Sequence, residues 1–260
     1  MTRTRLGIQT IIFGKRTSDD FEGVLTDIKA AGYDGVEFGF RADSTTPQVK
    51  ATLDRIGLSC CGYHAGYNVF TELDNLRAQA EQLVGVGGHY FMCSGTEGWQ
   101  KGDADSYKRS CEVFNRAAVL LKNEFNLTFC YHNHDWEFKT LSNGEKGMNM
   151  ILLHTDPTLV KLCVDVFWVA CAGENPADFI RLHNDRAVYF HLKDGTFDPE
   201  THQRSMFMEL GRGMVDLKSA MEAIRELSPE WVVTEQDQSG NKPEVAARIS
   251  ADYARQELAI

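Results

Sequence analysis

The chain holds 260 residues, 43% apolar and 10% aromatic, with no tract dominated by Gly, Ser or Pro; extended disorder is excluded, and one core of the size an α/β barrel needs is within reach. Its 27 Lys and Arg against 37 Asp and Glu give a net charge of −10 without a basic block. That excludes a sustained grip on nucleic-acid phosphates, and no apolar run approaches the roughly 20 residues of a membrane helix.

The opening "MTRTRLGIQTIIFG" has two arginines before a short apolar run but no small-residue cleavage site, so it reads as a first strand, 6–13, and not a secretion signal. A helix near 19–31 leads to a strand at 35–40, "GVEFG", which carries Glu37. A helix near 46–56 precedes the strand 58–64, whose end "CCGYHAG" carries His64. Next come a helix near 72–86, a strand at 89–94, and the clearest helix, 106–124, with Val113, Ala117, Leu120 and Leu121 on one face. The fifth strand, 127–133, runs into "FCYHNHDWEF", and a helix follows near 146–154. The strand 160–166, "VKLCVDVFW", carries Asp165, and Pro176 sits where a first-turn proline suits the helix 176–184. The strand 187–193, "AVYFHLKDG", places His191 and Lys193 on one face; a helix near 216–227 begins at Asp216 as its N-cap. The eighth strand, 231–236, "WVVTEQDQ", places Glu235 and Asp237 on one face, and a helix near 243–257 closes the pattern. The seven cysteines show no CxxC spacing and read as buried free thiols of a reducing, cytoplasmic compartment.

Strands alternating with helices imply parallel pairing, and eight such units close a (β/α)8 TIM barrel, expected as one domain over 1–260. Chemistry in that fold comes from the C-terminal strand ends, where Glu37, His64, Asp165, His191, Lys193, Glu235 and Asp237 all fall. Burying so many carboxylates together calls for counter-charge, most simply a divalent cation. Mixed oxygen and imidazole donors suit Mn²⁺, Mg²⁺, Co²⁺ or Zn²⁺.

Six motifs in order and at barrel spacing carry a resemblance: "AGYDGVEFG" (31–39), "YHNHDWEF" (131–138), "LCVDVFWVACAGENP" (162–176), "YFHLKDG" (189–195), "GRGMVD" (211–216) and "VTEQD" (233–237). The chain resembles the sugar phosphate isomerase/epimerase family of xylose isomerase-like barrels. The resemblance implies a divalent metal at the barrel mouth, with one ligand from each of strands five to eight. Asp165, His191 and Glu235 match three positions. At the fourth the chain departs, since ketose epimerases carry a glutamate near the place of His132. A regular fifth strand puts Cys130, His132 and His134 on the inward face and makes His132 the ligand. A bend at Asn133 lets Glu137 turn back to the metal. We expect Glu137, because three carboxylates and one imidazole resemble the family more closely; His132 and His134 then orient substrate hydroxyls or carry protons.

The implied activity is a metal-dependent isomerase or epimerase acting on a small sugar or keto-sugar through an enediolate, with Glu235 and Glu137 as bases on opposite faces of the carbon. Lys193 is expected to stabilise an enolate or bind an acidic group. Trp168 stands where ketose epimerases have a substrate-contacting histidine, and offers a sugar a stacking face. His64, Trp168 and Arg212 complete the expected substrate contacts. The alternative is a dehydratase of keto-sugars, keto-glycosides or keto-inositols from the same family, which expels a β-hydroxyl from the same enolate. Related barrels commonly form homodimers. Endonuclease IV-type barrels also share the fold, but the net charge of −10 argues against a DNA substrate.

Overall fold

Short runs rich in Val, Cys and aromatic residues, each flanked by an amphipathic helix, favour strands covered on both faces. In the computed structural model, which describes residues 3–260, eight of them close into a parallel barrel. They are β1 (Arg5–Gln9), β2 (Gly35–Phe38), β3 (Ser59–Gly66), β4 (Tyr90–Ser94), β5 (Thr128–His132), β6 (Val160–Asp165), β7 (Ala187–Leu192) and, after a hairpin of β8 (Asp194–Phe197) and β9 (Arg204–Met208), β10 (Trp231–Thr234). The order around the barrel is β1-β10-β7-β6-β5-β4-β3-β2, the arrangement expected of a (β/α)8 fold. Among the described residues no helix is long and apolar enough to cross a membrane.

The inside of the barrel is filled by Cys61, Met92, Cys130, Cys163, Tyr189, Trp231 and Val233. All seven cysteines are buried and free. Glycine makes room for the largest of these side chains: a Cβ at Gly35 would lie 2.5 Å from the Trp231 ring. A second, larger apolar layer joins the outer strand faces to the helices. This plug leaves the C-terminal strand ends as the place where polar groups can meet.

Several elements differ from expectation; β2 ends at Phe38 and β3 runs on to Gly66. β1 stops at Gln9, because Thr10–Phe13 winds into a 3-10 turn whose Ile11 N–H the Gln9 side chain accepts. The helix expected over 19–31 is two, Arg16–Asp19 and Phe21–Ala31, since the Asp20 carboxylate accepts the Gly23 N–H at 3.1 Å and caps the second. The β8–β9 hairpin was not anticipated. One buried carboxylate joins its two ends: Asp194 accepts N–H groups from Gly195 (2.8 Å), Gly211 (3.0 Å), Gly213 (2.9 Å) and Val215 (3.2 Å).

Candidate active site

Parallel register decides which strand ends become neighbours. Asp165 pairs with His191 across β6 and β7, His191 with Val233 across β7 and β10, and Ser94 with His132 across β4 and β5. Glu235 follows β10 directly, where its N–H donates to the Leu192 carbonyl at 3.0 Å. These pairings bring His132, Asp165, His191 and Glu235 together, one donor atom of each lying within 4.8 Å of every other. His132 Nε2 stands 3.5 Å from Asp165 Oδ2 and 3.7 Å from Glu235 Oε2, and His191 Nδ1 stands 2.5 Å from the same Glu235 oxygen.

These four atoms are buried and none has a hydrogen-bond partner. His191 Nδ1 and Glu235 Oε2 are close enough for a bond but out of line for one. Unpaired buried polar atoms are strongly unfavourable, so four converging on one point mark a place where a cation would satisfy them. Two imidazoles and two carboxylates are also a donor set that divalent transition metals accept. The residues therefore fit the metal that the fold family implies.

The electrostatics agree. Burial works against charge on His191, yet Cys163 and the carboxylates of Glu37 and Glu235 raise its pKa well above the ordinary value: the site attracts positive charge. Burial holds His132 below its ordinary value, so its ring is neutral and able to ligate. Glu235 is driven well below the usual carboxylate range, because Lys193 and His191 outweigh the effect of burial. Lys193, fully buried, is raised above an ordinary lysine since Glu235, Asp165 and Asp237 outweigh its desolvation. Its Nζ donates to Glu235 Oε1 at 2.9 Å, contacts Asp237, and lies 5.0 Å from the Trp168 ring and 4.7 Å from that of Phe207. Lys193 is thus an ammonium held between two carboxylates and two aromatic walls.

Glu137, expected in the metal set, is not brought to it. The chain does bend after β5, but Asn133 spends its amide on the neighbouring strand end, donating to the Asp165 carbonyl at 3.3 Å and accepting the Asp165 N–H at 3.0 Å. A 3-10 turn over Trp136–Phe138 then points Glu137 sideways. Its Oε1 accepts from the Tyr131 hydroxyl at 2.5 Å and its Oε2 from the His134 N–H at 2.7 Å. Burial raises its pKa to about 7 against both bonds. His132, on the inward face of β5, occupies the place that Glu137 leaves.

The remaining expected contacts divide. His134 stacks on Trp136 with centroids 3.8 Å apart, and Trp136 on Trp99 at 4.1 Å, forming a roof beside Trp168. A cavity of 610 Å³ opens between this roof and the hairpin, lined by Trp136, Trp168, His202 and Arg204. Arg212 is half exposed and turns to Glu209, 3.6 Å away, so it is not part of the cluster. His64 faces inward but meets protein partners, Glu37 and Ser94. Ser94 too ends a strand, but a lone hydroxyl among carboxylates and imidazoles carries no sequence signal of its own. Phe207 and Trp99 had no signal at all, since their positions depend on the hairpin and on the loop after β4.

The chain is 24% identical to an inosose dehydratase of Geobacillus kaustophilus, covering 96% of this chain and 93% of that one. Its backbone superposes on a sugar phosphate isomerase/epimerase from Parabacteroides distasonis with a TM-score of 0.81 at 20% identity, covering 97% and 98% of the two chains. With the IolI protein, solved with a bound zinc atom, the TM-score is 0.77 at 13% identity, covering 98% of each. The sequence model of the xylose isomerase-like TIM barrel matches residues 25–257, and the chain belongs to that family.

Proposed function

We propose that this protein is a metal-dependent lyase that removes water from a keto-polyol or keto-sugar, with the metal held by His132, Asp165, His191 and Glu235. The observation that favours a lyase over an epimerase is the position of Glu137. Epimerisation needs proton-transfer groups on both faces of one carbon, and Glu137, fully buried and bonded through both oxygens, is withdrawn from that task. Glu235 and Lys193, 2.9 Å apart, remain as an adjacent base and acid. The inosose dehydratase similarity points the same way.

Bound at the cluster, a divalent cation supplies Lewis-acid polarisation of the substrate ketone. The chain supplies the proton transfers. Glu235, kept ionised, takes the proton from the carbon beside the ketone, and the C–H electrons form the C=C bond as the β C–O bond breaks. Lys193, kept protonated, delivers a proton to the departing hydroxyl from the same side, so water leaves and elimination is syn. The resulting amine and carboxylic acid then exchange one proton across their contact and restore the starting charges. Trp168 and Phe207 wall the ammonium and keep bulk water from competing.

The test is incubation of the zinc- or manganese-loaded protein with a keto-inositol, a 3-keto-glycoside and a ketose. New enone absorbance with loss of water by mass spectrometry is expected for a keto substrate. Formation of an epimer without water loss would overturn the assignment.

A further inference from the structure

Glu37 has no place in the proposed reaction, yet it is fully buried beneath the cluster and bonded to two histidines. Its Oε2 lies 2.9 Å from His191 Nε2 and its Oε1 2.8 Å from His64 Nδ1. The other nitrogen of His64 meets Ser94 Oγ, and Ser94 Oγ lies 3.3 Å from His132 Nδ1. One chain of hydrogen bonds therefore runs from His191 through Glu37, His64 and Ser94 to His132. It links the two imidazoles of the cluster through groups outside it.

The direction of every proton in this chain follows from its acidic member. A carboxylate only accepts, so His191 Nε2 and His64 Nδ1 must both carry protons. With one ring proton, placed on Nδ1, His64 presents a bare Nε2 that accepts the Ser94 hydroxyl proton. The Ser94 oxygen is left to accept, and His132 Nδ1 must be its donor. When each ring carries only that one proton, His191 Nδ1 and His132 Nε2 present lone pairs, the same two atoms that converge with Asp165 and Glu235. Metal-bound imidazoles require this form.

We propose that Glu37 is the positioning residue that sets the metal-binding tautomers of both histidines, acting directly on His191 and through His64 and Ser94 on His132. On this assignment His64 transmits orientation within the protein. The inference rests on the reading that the cluster holds a cation.

The test uses Zn²⁺ with the full chain, measuring affinity by calorimetry and imidazole tautomers by long-range proton–nitrogen NMR. Wild type should bind zinc with His191 protonated at Nε2 and His132 at Nδ1. Glu37→Gln keeps the size of the side chain, but its amide N–H₂ must face one of the two histidines. That ring cannot donate to it, so its tautomer pattern should change and zinc affinity should fall about 10- to 100-fold. Ser94→Ala should disturb His132 alone and leave the His191 signals in place, and Ser94→Thr should restore the His132 pattern. Zinc binding by Glu37→Gln within about twofold of wild type, with unchanged tautomers, overturns the inference while leaving the metal centre intact. Failure of wild type to bind zinc, or indifference to Asp165→Asn, overturns both.

Discussion

Two buried glutamates at the same end of the barrel have opposite fates. Glu235, after β10, meets an ammonium and two imidazoles and is held well below the usual carboxylate range. Glu137, in the turn after β5, meets a phenol and an amide and is raised to about 7. Both are desolvated, so burial does not distinguish them. Formal positive charge nearby does, because neutral donors do not offset the loss of water around an anion. A carboxylate in a barrel mouth is therefore a reactive group only where the neighbouring strands deliver cations to it.

That contrast can be broken from the Glu235 side first. Glu235→Gln removes a proposed ligand and the base together, and turnover should fall by about three orders of magnitude or more, read as initial rates of enone formation. Lys193→Met removes the proposed proton donor and should lower kcat by about 10²- to 10⁴-fold. It also leaves Glu235 and Asp165 without their ammonium, so metal-free protein should lose about 3–5 kcal/mol in denaturant unfolding. Zinc should recover much of that loss, since it supplies positive charge to the same carboxylates; equal losses with and without metal would contradict a shared site.

The Glu137 side makes a prediction in pH. A carboxyl whose folded pKa is raised to about 7 from 4.5 binds more protons in the folded state than in the unfolded one between those values, so its contribution to stability declines as pH rises through that window. Glu137→Gln has no such proton, and the stability difference between it and wild type should change by about 3 kcal/mol from pH 4 to pH 8, in favour of the variant at high pH. Its turnover should stay within about tenfold of wild type, whereas loss of about 10³-fold would restore Glu137 as a base. Tyr131→Phe gives the smallest effect, about 1–3 kcal/mol, as Glu137 loses one of its two donors.

Asp165, His191 and Lys193 were readable because a strand-end position and a period of two fix their side, and register then makes them neighbours. The choice between His132 and Glu137 was not readable in that way. It depends on Asn133 clamping β5 to β6 and on the Tyr131 hydroxyl, on the far face of its strand, capturing the carboxylate six residues on. Period-two logic treats each strand alone and holds no information on such ties. The hairpin was hidden for another reason: Arg204, Ser205 and Met206 of β9 are exposed, so no apolar alternation marks the strand.

The grip of Asp194 on the backbone of that hairpin has an engineering consequence. His202 and Arg204, which line the cavity, hang between Gly195 and Val215, and Asp194 grips that span through main-chain N–H groups alone. A grip on backbone is indifferent to side chains, so the segment is a natural cassette. Replacing its exposed residues, with Asp194 and the glycines kept, offers a way to retune which molecules the barrel admits while the centre below is inherited unchanged.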